Sequence, residues 1–336
     1  MVLIDALYIN NSGGKVLLDY LMTQLELSDK KVFYLLDDRI TGNIIPVKST
    51  NQVLFLKAGL WRRHTFYQKH KNDFTTVLCF GNLPPTIRVN AKVYTYFHQL
   101  LFLEIPEGTS FLTTLTIHLK MKVVQFLQPN TDFWLVQTEL VKSKFLKKYA
   151  PKSDTVLLLP FYLPFEDQVT PIVRNPHQYV FVSNGVPHKN HIRLINAFCA
   201  FFETHKKGTL YVTISEEFVF LKKYIDNKIN SGFPIINLGH IDRFRLQELY
   251  LQSTFHVFPS LTESFGLGLI EGIECGCKII GADLAYTYAV CEPSIVFNPI
   301  DESDIVSALE KSLTENLTTS TAKVKNEMKA LLEFLK

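Results

Sequence analysis

Two carboxylates at fixed spacing, Glu263 and Glu271, are the residues of this 336-residue chain best placed to do chemistry. They lie in HVFPSLTESFGLGLIEGIECGCKIIG, residues 256–281. A strand pattern ends at Phe258, a turn covers Pro259–Thr262, and an apolar helix pattern starts near Leu267 and carries Glu271. Gly266 lets the backbone approach a ligand closely. A helix start leaves backbone N–H groups without intrahelical acceptors, so those of Phe265–Gly268 suit a phosphate or the polar edge of a sugar. Glu263 stands just before this helix and Glu271 about one turn inside it. The plainer alternative makes Glu263 a helix cap and Glu271 a solvated side chain. It fits Glu271 poorly, because Leu269, Ile270 and Ile273 surround it and a carboxylate embedded there needs a polar partner.

The elements that must hold these residues follow from the hydrophobic periodicity. Strands are expected at 2–9, 31–36, 52–56, 76–80, 93–97, 133–136 and 155–158, with helices at 15–25, 61–70, 110–127 and 138–149. Four prolines make residues 160–178 a linker. The alternation resumes with strands at 179–183, 209–213, 235–238, 255–258, 278–281 and 295–297, and helices at 191–204, 216–229, 243–252, 267–274 and 302–313. Strand–helix alternation implies βαβ units and parallel sheets, so the expectation is two doubly wound α/β domains facing a cleft.

Composition bounds the function. Hydrophobic residues make up 47% and charged residues 20%, as in globular proteins, and no run approaches a membrane span. The start, MVLIDALYINNSGG, reads as a strand running into a glycine turn and not as a signal peptide. Without export, the sequons at Asn10 and Asn316 would stay unglycosylated, and the five cysteines, an odd count, would be reduced in a cytosol. Cys275-Gly276-Cys277 has no second pair at ligand spacing and reads as small buried residues. Residues 1–160 hold 19 Lys+Arg against 12 Asp+Glu, a balance of +7, whereas residues 161–336 balance at −4. A small total charge and no known motif argue against nucleic acid. Three basic stretches, 60–71, 117–122 and Lys142/Lys144/Lys147/Lys148, could face anionic lipid or be ordinary solvated helix faces. Asn11–Lys15 is no P-loop, since the first glycine and the Ser/Thr after the lysine are missing.

With these residues in view, 255–313 resembles the E-x7-E region of the family 4 (group 1) glycosyltransferases, retaining enzymes of GT-B fold. The resemblance rests on Phe258-Pro259-Ser260, on Glu263 and Glu271 with Phe265-Gly266-Leu267, on the strand from Gly276, and on Phe297-Asn298-Pro299. It implies that Glu263 contacts the donor sugar, that Glu271 holds the ribose hydroxyls, and that Ser264, Phe265, Gly266 and Leu267 line the donor. A second match, YVFVSNGVPHKNHIRLINAF at 179–198, implies that Lys189 serves the diphosphate, where a leaving group builds negative charge. There the chain departs from the family: Ser183 and Asn184 replace the usual glycine and arginine. Asn184 keeps that donor-binding position, and Arg193 and Arg243 are the cations that could compensate. The resemblance further places Gly13 and Gly14 in the glycine loop, His98 beside the donor sugar, and the backbone of Gly239, His240 and Ile241 against the nucleotide base. A surface lysine at 189 and a structural histidine at 98 are the plainer alternatives.

The expectation is therefore a retaining hexosyltransferase, metal-independent and without cofactor, since Asp-x-Asp occurs nowhere in the chain. Glu263, His98 and Lys189 would act in catalysis. The donor would be a UDP- or GDP-sugar and the acceptor a saccharide or lipid-linked saccharide, in lipopolysaccharide or cell-surface polysaccharide biosynthesis. The setting would be cytoplasmic, with peripheral contact at the inner face of the plasma membrane. Expected domains are 1–165, on the acceptor side, 166–315, binding the nucleotide sugar, and 316–336, a helix packing back on the first domain. A GT-B phosphorylase, a sugar-nucleotide epimerase and a non-catalytic GT-B scaffold are the alternatives.

Overall fold

The structure, a computed structural model, describes residues 1–10, 12–40, 44–105, 111–166 and 172–336. Asn11 of the anticipated glycine loop, Ser110 of an anticipated helix and residues 167–171 of the anticipated linker lie outside the described residues. The chain divides into two compact units, Met1–Leu163 together with Lys325–Lys336, and Pro164–Val324.

The first unit runs β1 (Val2–Ala6), α1 (Ser12–Glu26), β2 (Val32–Asp37), β3 (Gln52–Leu56), α2 (Leu60–Lys69), β4 (Thr76–Cys79), β5 (Lys92–Phe97), α3 (Phe111–Leu127), β6 (Phe133–Val136), α4 (Glu139–Tyr149) and β7 (Val156–Leu158). Its strands form a parallel sheet ordered β3-β2-β1-β4-β5-β6-β7. The strands β1, β2 and β4 are buried along their whole length, which is why they read as unbroken apolar runs and not as alternations. Charges lie inside as well: Asp37 ends β2 and is paired with Arg39, and Asp5 of β1 accepts from Arg63 Nε at 2.7 Å and from the Tyr67 hydroxyl at 2.6 Å. Arg63 also donates to the carbonyls of Pro84 and Leu83, so its fork is satisfied. Of the bases in 60–71, Arg63 is therefore inside, whereas Arg62, Lys69 and Lys71 are exposed. Arg63, Phe66 and Tyr67 are buried, because a carboxylate 58 positions upstream supplies the counter-charge.

The second unit runs β8 (Asn175–Phe181), α5 (His191–His205), β9 (Thr209–Val212), α6 (Val219–Asn230), β10 (Ile235–Asn237), α7 (Arg243–Gln252), β11 (Ser253–Phe258), α8 (Leu267–Glu274), β12 (Lys278–Ala282), α9 (Ala285–Val290), β13 (Cys291–Glu292), β14 (Ile295–Phe297), α10 (Glu302–Thr314) and β15 (Thr321–Ala322). Its main sheet is parallel, ordered β10-β9-β8-β11-β12-β14, with β13 and β15 paired antiparallel beside it. Strand β8 starts inside the stretch expected to be linker. Pro176 fits there because pairing with β9 begins only at Gln178 and the register with β11 shifts across this segment, so no ladder hydrogen bond needs its missing N–H. Helix α6 starts three residues later than expected, at Val219; Phe218 packs instead over Gly185, where an added Cβ would come within 2.5 Å of the ring. The five cysteines are free and buried, and Cys277 donates to the Tyr250 carbonyl.

After Val324 the chain rejoins the first unit. Asn326 Nδ2 donates to the Tyr162 carbonyl at 2.7 Å and Glu327 N to Pro160 O at 2.8 Å. Helix α11 (Met328–Phe334) then sets the Phe334 ring 5.6 Å from Tyr94, and Thr76 Oγ1 donates to Lys336 O. No helix among the described residues is long and apolar enough to cross a membrane.

In doubly wound sheets, ligand sites form beyond the carboxyl ends of the strands where the order reverses. In the first unit that point lies between β1 and β4. In the second it lies between β8 and β11.

Candidate active site

The switch point of the second unit gathers the residues that the sequence singled out. A single-turn 3-10 helix, Pro187–Lys189, follows β8, and Asn190 then adopts φ 64° before α5 begins. Its buried side chain fastens three loops. Nδ2 donates to Pro259 O at 3.1 Å and to Pro299 O at 2.7 Å, while Oδ1 accepts from Arg193 Nη1 at 2.9 Å. Leu261 N adds a bond to His188 O at 2.8 Å. The turn after β8 is thereby fixed to the turn after β11, and Lys189 Nζ meets Glu263 Oε1 at 2.5 Å. Both side chains are largely covered, at 18% and 11% exposure, so their attraction is less screened than that of a surface pair. Gly266 caps α8 with φ 68°, a conformation that a side chain would strain.

Glu271 sits one helical turn further, 5% exposed, between Ile270 and Gly272. Its carboxylate accepts from Arg243 Nη1 at 2.8 Å, and the Arg243 guanidinium lies 4.2 Å from the Phe165 ring centre. Burial pushes the Glu271 carboxyl above its ordinary value, against the opposing pull of Arg243. Gly239 takes φ 67° in the loop after β10, with open space where a Cβ would be, and its N–H donates to Asn237 Oδ1 at 3.2 Å. His240 is exposed and Ile241 packs against the apolar cluster around Val180 and Tyr250. Asn184 is exposed, and its carbonyl accepts from Ser183 Oγ. Arg193 and Arg243, the cations that could have compensated for Asn184, are committed to Asn190 and Glu271.

In the first unit, His98 follows β5. Its backbone N–H donates to Asn82 Oδ1 at 2.7 Å and its Nε2 lies 3.0 Å from the Phe80 carbonyl. Nε2 also lies 3.4 Å from Asn82 Nδ2, which can only donate; the shorter contact, with a carbonyl that can only accept, favours the tautomer of the neutral ring with the proton on Nε2 and Nδ1 as the acceptor. Burial holds His98 below the ordinary imidazole value and favours that neutral form. Gly13 and Gly14, expected in a loop, lie in the first turn of α1. Gly13 faces open space, and a Cβ on Gly14 would stand 3.8 Å from His98 Cε1.

The arrangement in the second unit is a cation held by a carboxylate, beside a helix N-terminus and near a second, buried carboxylate. Such a set can bind a phosphate group through Lys189 and the α8 amides, and hydroxyls through Glu263 and Glu271. The structure places Lys189 with Glu263, and Glu271 on the same helix as the Ser264–Leu267 turn leads into. Sequence reasoning missed Asn190 as the fastener of the site and Arg243 as the partner of Glu271. An asparagine after Pro-His-Lys at a strand–helix turn was a signal for the first, since asparagine tolerates positive φ. The second had none, because α7 and α8 are brought side by side only by the sheet.

Residues 164–326 match the family model described as glycosyl transferases group 1. The serotype-specific mannosyltransferase WbdA of Escherichia coli is 35% identical over 86 residues, 25% of this chain but only 11% of that relative's length. Among solved structures, sucrose-phosphate synthase (tll1590) from Thermosynechococcus elongatus superposes with a TM-score of 0.68 at 15% identity, covering 94% of this chain and 89% of that one. WaaG, a glycosyltransferase involved in lipopolysaccharide biosynthesis, gives 0.68 at 14%, covering 94% and 91%. Anabaena Alr3699/HepE in complex with UDP-glucose gives 0.67 at 12%, covering 93% and 89%. These structural likenesses show the fold, which is GT-B.

Proposed function

From the match of residues 164–326 to the glycosyl transferases group 1 family model, we propose that this chain moves a hexose from a nucleotide sugar to a saccharide or lipid-linked acceptor with retention of configuration. The observation that carries the reading is the Lys189–Glu263 pair at the switch point of the second unit, in front of α8. As the anomeric bond to the donor phosphate breaks, negative charge grows on the diphosphate oxygens. Lys189, with three N–H donors and one of them already on Glu263, meets that charge without a divalent metal. Glu263 keeps the lysine aimed and accepts from a sugar hydroxyl. Glu271 accepts from the ribose hydroxyls, and the backbone at Gly239–Ile241 lies against the base. In the first unit, His98 Nδ1 can accept from a sugar hydroxyl. The relatives' names set the order of trial: nucleotide donors bearing mannose and glucose come first, with UDP and GDP as the two bases. Release of nucleoside diphosphate, with the anomeric configuration of the product read by NMR, tests this. An inverted product would remove the retaining assignment, and release at the wild-type rate in Lys189→Ala would remove the site.

A specific observation supports peripheral membrane contact. Helix α3 exposes Phe111, Leu112, Leu115, Leu119 and Phe126, at 58–80% exposure. At 3.6 residues per turn these five fall within an arc of roughly 100°. The helix contains no Asp or Glu but carries Lys120 and Lys122. Large apolar side chains with Lys122 among them, on a helix without acidic residues, suit an anionic lipid surface, as in interfacial helices. On α4, by contrast, Lys144 is already paired with Glu104. Cosedimentation with phosphatidylglycerol vesicles should be lost in Leu115→Glu/Phe126→Glu, and equal binding by wild type and variant would exclude α3 as the contact.

A further inference from the structure

Arg243 joins two parts of the donor site that the sequence keeps apart. It is the first residue of α7, two positions beyond the Gly239–Ile241 loop. That helix start is fixed, because Asp242 accepts from Arg245 N at 2.8 Å. The guanidinium of Arg243 lies against the Phe165 ring and donates to Glu271 on α8. Its place is therefore set by an aromatic plane on one side and a carboxylate on the other, which a flexible ammonium could not reproduce.

Glu271 has few other means of staying charged. The titratable groups that face it are Tyr250 of α7, Glu274 of its own helix and Cys275 at that helix's end, none of them positive. His256 of β11 lies beneath Gly272 in the same layer, and burial holds it neutral. Arg243 is the one cation among these described neighbours. A carboxylate buried to this degree would otherwise take up a proton, and a protonated acid is a weaker acceptor for a pair of hydroxyls than a carboxylate.

We propose that Arg243 is a positioning residue for donor recognition: it keeps Glu271 ionised and aimed, and it links that carboxylate to the loop against the nucleotide base. The proposal rests on the reading of Glu271 as the ribose-holding group. Loss of Arg243 removes the charge that opposes burial, so the Glu271 carboxyl rises further. Donor affinity then becomes pH-dependent, low at acidic pH where the acid is protonated and recovering as pH rises.

The test is calorimetric titration of the full chain with UDP and with GDP between pH 5.5 and 8.5. In the wild type the affinity for the preferred nucleotide should change little across that range. In Arg243→Gln it should be about tenfold weaker at pH 6, the effect of one charge-assisted hydrogen bond, and should recover towards pH 8.5. Arg243→Lys should restore the flat profile, since charge returns, while binding stays weaker because the planar fork is lost. Arg243→Gln/Glu271→Gln should be weak and flat. Should Arg243→Gln fail to fold, Arg243→Lys against Glu271→Gln keeps the comparison. Wild-type affinity with a flat profile in Arg243→Gln would overturn the proposal, as would a pH dependence that survives in the double variant. A wild type that binds neither nucleotide would instead overturn the functional reading, before any variant is compared.

Discussion

Asn190→Ala should destabilise the second unit and slow the reaction, for reasons that can be added up from the structure. The residue has φ 64°, and alanine is about 1 kcal/mol less favourable than asparagine in that region. Its amide donates to the carbonyls of Pro259 and Pro299, and the residue is 5% exposed. Each lost bond costs about 1 kcal/mol, and more if the carbonyl left behind stays dry. The sum is about 3–5 kcal/mol, a large share of the stability of an ordinary domain. Asn190→Gly separates the two causes. It loses the same hydrogen bonds but tolerates the positive φ, so it should be about 1 kcal/mol more stable than Asn190→Ala. Urea unfolding followed by circular dichroism gives both values from the shift in midpoint at unchanged slope. Donor turnover should fall in both variants, because the Lys189 turn loses its buried side-chain anchor to Pro259 O and is left tied to the Glu263 turn by Leu261 N to His188 O and by the Lys189–Glu263 pair itself. A loss below 1 kcal/mol in Asn190→Ala, or a glycine variant less stable than the alanine one, would refute this account of the fastener.

Lys189→Ala and Glu263→Ala should each lower kcat by ~10² or more, and together by less than the product of the two losses, because both act on one transition state. Steady-state release of nucleotide from the three variants measures this. Glu271→Ala should raise the donor KM with kcat little changed, since a ribose contact is made in ground and transition states alike; a collapse of kcat at constant KM would contradict the assignment. Turnover should persist in EDTA, with Lys189 supplying the positive charge, and a full loss restored by Mn²⁺ would refute it. Stability should also fall with acid. Burial holds His191 and His256 down to about 3, whereas the unfolded chain takes up their protons below about 6.5. Their contribution is present above that pH and is lost as pH drops towards 3, so the thermal midpoint should decline across this window. A constant midpoint from pH 7 to 4 would mean that these rings are not held neutral.

The parts of the fold legible in the sequence are those set by local pattern. Helices α7 and α8 and strands β3, β6 and β14 have the bounds that periodicity and turn residues imply. The spacing of Glu263 and Glu271 around Gly266 is readable for the same reason, since one turn and one helix fix it. Hidden features depend on partners far along the chain. Arg63 looks like a surface base until Asp5 is placed opposite it. The two-residue strands β13 and β15 pair across 30 positions, too short for any pattern. The start of β8 is masked by Pro176, whose tolerance depends on which neighbours pair there. The resemblance places Gly13 and Gly14 in a glycine loop, and the structure puts them in the first turn of α1. Arg243 and Glu271 are 28 positions apart, and only the packing of α7 beside α8 shows that they are a pair.

The most direct test of the whole account is saturation-transfer NMR of the wild type, Lys189→Ala and Glu271→Ala against a panel of UDP- and GDP-sugars. The panel is led by mannose and glucose donors. The account predicts that one nucleotide sugar is recognised by the wild type, with transfer to both the ribose and the hexose protons. The ribose signal should be weakened in Glu271→Ala and the whole ligand weakened in Lys189→Ala. Failure of every nucleotide sugar to bind the wild type, or equal signals in all three proteins, would contradict it.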